Sequence, residues 1–169
     1  MLVGIGDSPT VEVMAAAQIL RTELPDLRVR VVNVTDLLVL EEKTEHPHGL
    51  DTEMFDALFT PDRPVIVNFH GYPSAVKQLL FGRPNLERFR IHGYQEEGTT
   101  TTPFDMHVRN HTSRYHLIMQ AIRLASAHNP RVAARASERV HHYEYVLQDY
   151  KQFILENGDD PPEIMNWQW

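Results

Sequence analysis

The chain has 169 residues, enough for one domain with a real core. Its 42% hydrophobic and 9% aromatic content is that of a globular protein, not a disordered one. The formal net charge is −7 and there are no cysteines, which argues against a basic nucleic-acid footprint and excludes disulfides, thiolate zinc sites and thiol nucleophiles.

No apolar run reaches the roughly 20 residues of a membrane span. No basic segment followed by an apolar run marks a signal peptide. We therefore expect a cytoplasmic protein with neither a nucleic-acid nor a membrane partner. "LVGIG" (2–6) reads as a buried strand. A natural domain rarely begins so abruptly, so a fragment of a longer protein is expected. "DSPT" then opens a helix, with Ser8 as N-cap and Pro9 at the first helical position. Val13, Ala16, Ala17, Leu20 and Leu24 follow at helical spacing, and Pro25 and Asp26 end the helix. "RVRVVNV" (28–34) predicts a second strand and "EEKTEHPHGL" (41–50) a polar loop. "LDTEMFDALF" (50–59) predicts a short helix with Asp51 or Thr52 near its start. "PVIVNFH" (64–70) is apolar nearly throughout, as a strand covered on both faces would be. A helix over 71–82 is entered near Pro73, and "RFRIHGY" (88–94) predicts a fourth strand.

After the polar stretch 93–106, "SRYHLIMQAIRLAS" (113–126) carries Tyr115, Ile118, Ile122 and Ala125 on one face. Residues 131–158 make the longest helical pattern, with Val140, Tyr143, Leu147, Tyr150 and Ile154 as its apolar stripe and Gly158 as its stop. The tail "DDPPEIMNWQW" is expected to be extended, with its aromatic rings docked on a surface. Strands alternating with helices imply right-handed βαβ units. The expected fold is one three-layer α/β domain over 1–169: a mainly parallel (mixed) sheet, helices on both faces, and extra C-terminal helices.

Several stretches invite chemistry. "GIGDSP" follows a strand and opens a helix, but Pro9 stands where a dinucleotide fingerprint needs its third glycine. A tight turn explains it; an anion site at the helix N-terminus is the alternative. His46 and His48 offer two imidazoles with no third ligand nearby in sequence. His141 and His142 lie about 100° apart on a helix and do not converge. His116 reads as a boundary packing residue. "NFHGYP" lies at the C-terminal end of a parallel strand, where open α/β sheets bind ligands. There His70 suits a general base or phosphate contact and Tyr72 an orienting hydroxyl. The plainer reading is a turn in which Gly71 relieves the backbone and Tyr72 packs.

"GYQEEGTTTTPFDM" (93–106) also leaves a strand's C-terminal end, so it is expected beside His70. Glu96 and Glu97 are adjacent and point apart in extended chain, so they are no ready acid/base dyad. The run Thr99, Thr100, Thr101 and Thr102 can satisfy irregular backbone through its hydroxyls, and Asp105 can bond nearby amides. A structural loop, a catalytic loop and a ligand contact all remain open on these residues.

"FHGYP", "GYQEEGTTTTPFDM" and "DDPPEIMNWQW" closely resemble the C-terminal domain of xylulose-5-phosphate/fructose-6-phosphate phosphoketolase. "GIGDSPTVEVMAAAQIL", "HPHGLDTEMFDALFTPDRPVIV" and "RNHTSRYHLIMQAI" share the likeness, in order, over essentially the whole chain. The resemblance implies a transketolase-like family dependent on thiamine diphosphate, which cleaves a ketose phosphate with inorganic phosphate to acetyl phosphate and an aldose phosphate. Each subunit of that family has three α/β domains. The first two hold the cofactor and magnesium and form the active site across a dimer interface; the third is a mostly parallel sheet with helices on both faces. This chain has no counterpart of the first two domains. No catalytic, cofactor-binding or metal residue is carried over, and the fragment is expected to be inactive alone and to bind neither cofactor nor magnesium.

What maps are the hallmark loops: His70, Gly71 and Tyr72, then Gly93, Tyr94, Glu96, Glu97, Gly98, Thr99, Thr100, Thr101, Thr102, Pro103, Phe104 and Asp105. These are expected to contact neighbouring domains, a partner subunit or a ligand. The expected partners are the parent's other domains and its second subunit, in a homodimer or higher homo-oligomer. The alternative is a free-standing or regulatory anion- or nucleotide-binding module using the strand ends at Gly6, His70 and Glu96. A severed domain should expose apolar surface that such a module would not.

Overall fold

The computed structural model describes residues 1–96, 98 and 100–169. Four strands, β1 (Leu2–Ile5), β2 (Val31–Asn33), β3 (Val65–His70) and β4 (Phe89–Tyr94), form one sheet in the order β2-β1-β3-β4. Every pairing among them is parallel. The expected parallel sheet is thus present, and the antiparallel component of a mixed sheet is absent among the described residues. β2 is shorter than expected: it pairs with the four-residue β1, so the ladder runs from Val31 to Asn33, opposite Leu2 to Gly4.

Alternation along β1 and β3 divides the core in two. Leu2 and Ile66 face α1 (Asp7–Glu23), α5 (Arg114–Ser126) and α7 (Ala136–Asn157), meeting Val13, Leu20, Ile118, Ile122 and Tyr143. Val3, Ile5, Val65 and Val67 face the other way, onto α2 (Thr52–Phe59) and α3 (Pro73–Leu79), where Phe55, Phe59, Val76 and Leu80 lie. Period-two alternation in strands apolar on both faces is what a three-layer sandwich requires. The expected face of α5 is buried at Tyr115, Ile118 and Ile122, and Asp51 caps α2 by accepting from the Met54 amide at 2.8 Å.

Four local expectations are corrected. Ser8 is not an N-cap: α1 begins at Asp7, two residues before the expected Pro9, with Gly6 in the cap position at φ 93°. A short helix, α4 (Pro103–Arg109), begins inside the stretch read as loop. The long C-terminal helix is two: α6 (Pro130–Ala133) and α7, separated at Ala134 and Arg135. Val132 and Val140 both enter the same core cluster. The tail is not wholly extended, for it contains α8 (Pro162–Met165). Its aromatic docking is present: Trp167 Nε1 donates to Gln18 at 2.8 Å, and the Arg114 and Arg21 guanidiniums lie over the Trp167 and Trp169 rings. Gly158 ends α7 in the left-handed region, as expected.

No helix of the described residues is long and apolar enough to cross a membrane.

Candidate functional site

The site lies at the C-terminal edge of the sheet, where β1 and β3 are neighbours but their following connections diverge. α1 leaves β1 on one face and α3 leaves β3 on the other. This switch point is where open α/β sheets form crevices. Here a crevice of about 590 Å³ is lined by Gly6, Asp7, Thr10, Asn33 and His70 among others. Gly6 is required on two counts. Its φ of 93° disfavours a side chain, and a Cβ there would lie 2.7 Å from that of His70. At β4, a Cβ on Gly93 would collide with the Gly71 carbonyl oxygen and the Pro73 ring, so only glycine lets the two hallmark turns close on each other.

The two turns do meet. The Gly71 amide donates to the Tyr94 carbonyl at 2.9 Å, and His70 Nε2 lies 3.8 Å from Glu96 Oε1. The His70 ring stands edge-on to Tyr94 at 5.1 Å between centroids. Tyr72, however, is 63% exposed; it does not pack in the turn as the plainer reading held. Glu96, Gly98 and Thr100 are exposed, while Phe104 and Asp105 are buried. Glu97 and Thr99, also in the hallmark loop, lie outside the described residues.

The second half of the loop is a capped helix start. Thr102 Oγ1 accepts from the Asp105 amide at 3.3 Å, and Pro103 occupies the first helical position, where it needs no donor. Asp105 bonds side chains instead of the amides expected. It accepts from the Thr101 hydroxyl and from Arg109 Nε at 2.6 Å, and these two partners hold its carboxyl below the usual range against the opposing effect of burial, the largest single influence. The Phe104 amide donates to Asp160 Oδ2 at 2.9 Å, tying the loop to the tail. Asn110 clamps the loop's entrance, donating to the Gln95 and Met106 carbonyls and accepting from the Gln95 amide.

Behind this surface stands a residue that sequence reasoning did not single out. His107 is 3% exposed, with its ring against Tyr94 at 4.3 Å between centroids. The Thr112 hydroxyl donates to the His107 carbonyl at 3.2 Å, so at 2.8 Å its oxygen accepts from Nδ1–H. That fixes the tautomer and leaves Nε2 to accept from the Ser8 hydroxyl at 2.5 Å. Burial pushes the His107 imidazole down to about 4, so it stays neutral near pH 7. Next to it, Glu12 receives a bidentate bond from the Arg114 guanidinium and a third from the Arg114 amide. The Thr102–Pro103–Phe104–Asp105 capping pattern was the signal that could have found α4 and hence His107.

Three other histidines singled out in the sequence are bonded locally. His48 pairs with Asp36 at 2.8 Å, His141 Nδ1 bonds the Ser137 carbonyl, and half-buried His116 bonds Ser113. Among the described residues no three His, Asp or Glu side chains form a metal-binding group. The carboxylates of Asp7 and Glu96 flank the switch point and oppose a diphosphate there.

Comparison with known proteins agrees with the motifs. The family model described as the XFP C-terminal domain matches residues 1–169. The probable phosphoketolase of Rhodopseudomonas palustris (strain HaA2) is 49% identical over 164 residues, 97% of this chain and 20% of that protein. Probable phosphoketolase 2 of Rhizobium meliloti is 48% identical over 167 residues, and probable phosphoketolase 2 of Nostoc sp. 46% over 164, with the same coverage. The chain spans about a fifth of the length of these relatives. The chain belongs to the XFP C-terminal domain family, over its whole length.

Proposed function

We propose that this chain is the C-terminal assembly domain of a phosphoketolase. The full-length protein would cleave xylulose 5-phosphate or fructose 6-phosphate with inorganic phosphate to acetyl phosphate and an aldose phosphate. Thiamine diphosphate and magnesium would be held by its other domains, and this fragment would be inactive alone. The observation that carries the reading is the family match along all 169 residues, at about half identity to relatives named phosphoketolases.

The site supports a supporting role rather than a chemical one. Its buried polar groups are taken up internally: His107 bonds buried Thr112 and half-buried Ser8, and Glu12 bonds Arg114. A neutral histidine already accepting from a serine and donating to a threonine orders the edge from within. What faces outward is the hallmark surface, His70, Tyr72, Glu96 and Thr100, which we assign to contacts with neighbouring domains or a second subunit. Phe81, 84% exposed beyond the end of α3, and Tyr72 before its start add apolar surface for such a neighbour. The free-standing anion- or nucleotide-binding module is not favoured.

The test is an acetyl phosphate assay on the full-length protein and on this chain, each given fructose 6-phosphate or xylulose 5-phosphate, phosphate, thiamine diphosphate and magnesium. Product from the full-length protein and none from the folded chain is expected. Product from the chain would overturn the assembly role; none from the full-length protein would overturn the activity.

A further inference from the structure

The edge of the sheet opposite the candidate site carries a cavity of about 570 Å³ that the proposed function does not use. Its floor is aliphatic, with Leu20 from α1, Leu27 from the connection to β2, and Leu124 and Ala125 from α5. Arg28 and His128 stand at its rim. Leu27, Leu124 and Ala125 are only half-buried, although they pack against the main core cluster.

Met1 lines this cavity, and its backbone is hydrogen-bonded to β3 and the residue before it. Its nitrogen donates to the Pro64 carbonyl at 2.8 Å and its carbonyl accepts from the Ile66 amide at 3.0 Å, while Leu2 donates to Arg30 on the other side at 2.9 Å. β1 is therefore held between two neighbours where it emerges from the groove. A strand advances about 3.3 Å per residue, so one or two further residues would lie directly over the aliphatic floor. The relatives are about five times as long as this chain, and the family description places such a domain at the C-terminal end. In such a protein the rest of the chain precedes this domain and joins it here.

We propose that this groove seats the segment that immediately precedes Met1 in the full-length protein, running on from β1 as extended chain with an apolar side chain over Leu27, Leu124 and Ala125. The inference rests on the reading of this chain as a C-terminal domain. Its consequence is mechanical: the connection from the preceding domain is clamped to the sheet edge and does not act as a free tether. A half-buried aliphatic floor becomes core, and Arg28 at the rim, beside Asp26, suits backbone carbonyls on the segment.

The experiment uses the full-length protein with a photo-crosslinking benzoylphenylalanine in place of His128, an exposed rim position whose replacement leaves the core intact. After irradiation, the crosslinked peptides are identified by mass spectrometry. The expected partner is the peptide that carries the residues immediately before Met1, and its crosslink should be lost when Leu124→Arg fills the floor. A crosslink to another domain, to a second subunit, or to nothing would overturn the seat. An active enzyme lacking the crosslink would refute the seat and leave the phosphoketolase assignment standing; the crosslink in a protein that makes no acetyl phosphate would do the reverse.

Discussion

At the residue scale, the tie between Ser8 and His107 decides most. It joins the first turn of α1 to α4 across 99 positions of sequence, and both ring nitrogens of a buried imidazole are satisfied. Ser8→Ala strands a buried acceptor, at a cost of roughly 2 kcal/mol. A chemical denaturation curve shifted by less than a quarter of that would mean that Nε2 finds another donor. The same histidine makes stability depend on pH. Its folded value is about 4 and its unfolded value is the ordinary 6.5, so between those limits the unfolded chain holds more protons. Stability is then fully present above about pH 6.5 and falls as pH drops toward 4, by roughly 3 kcal/mol at most. His116, lowered to about 4 by burial with the nearby His111 and His92 as lesser influences, acts in the same sense. Urea midpoints measured from pH 7 to pH 4 should fall, and His107→Gln should flatten the fall; an equal slope in the variant would remove His107 as its source.

At the scale of elements, the buried pair of Glu12 and Arg114 joins α1 to α5. Both side chains are about 5% exposed or less, and the carboxylate also caps α5 through the Arg114 amide. Glu12→Ala would leave a guanidinium buried without its partner, costing about 3 to 5 kcal/mol. Replacing both residues by methionine should recover a large part of that loss, since an apolar pair faces no desolvation penalty. A double variant as unstable as Glu12→Ala would show that the capping bond, rather than the ion pair, carries the energy. Neither residue was legible beforehand, because a pair 102 positions apart leaves no local pattern. What was legible follows from periodicity and caps. Val13, Ala16, Ala17 and Leu20 announced α1, and "PVIVNFH" announced β3. Misreadings came where the outcome depended on a distant partner. Four residues of the expected β2 were lost for want of a longer β1, and Ser8 served His107 rather than its own helix. The meeting of His70 with Glu96 was readable because parallel strands bring their C-terminal ends to one edge.

At the scale of the whole molecule, the tail holds the hallmark loop. Asp160, 5% exposed, gives its carboxylate to the Phe104 amide, Ile164 packs against the main core cluster, and Trp167 lies under the Arg114 guanidinium and bonds Gln18. The last ten residues thus brace α4, α5 and α1 together, and the loop's buried half is fixed only while they stay docked. Ending the chain after Gly158 would leave the Phe104 amide without its acceptor and uncover Arg114, a loss of roughly 3 kcal/mol from the hydrogen bond and the cation–aromatic contact. The loss should be felt first where the bond was. Limited proteolysis of the shortened chain should cut between Gly98 and Asp105 under conditions in which the intact chain resists, while β1 and β3 remain protected. Asp160→Asn, which keeps an oxygen acceptor for Phe104, should resist nearly as well as the intact chain, and Asp160→Ala should not. Cleavage spread evenly along the shortened chain would mean that the tail stabilises the domain as a whole and has no particular hold on the loop.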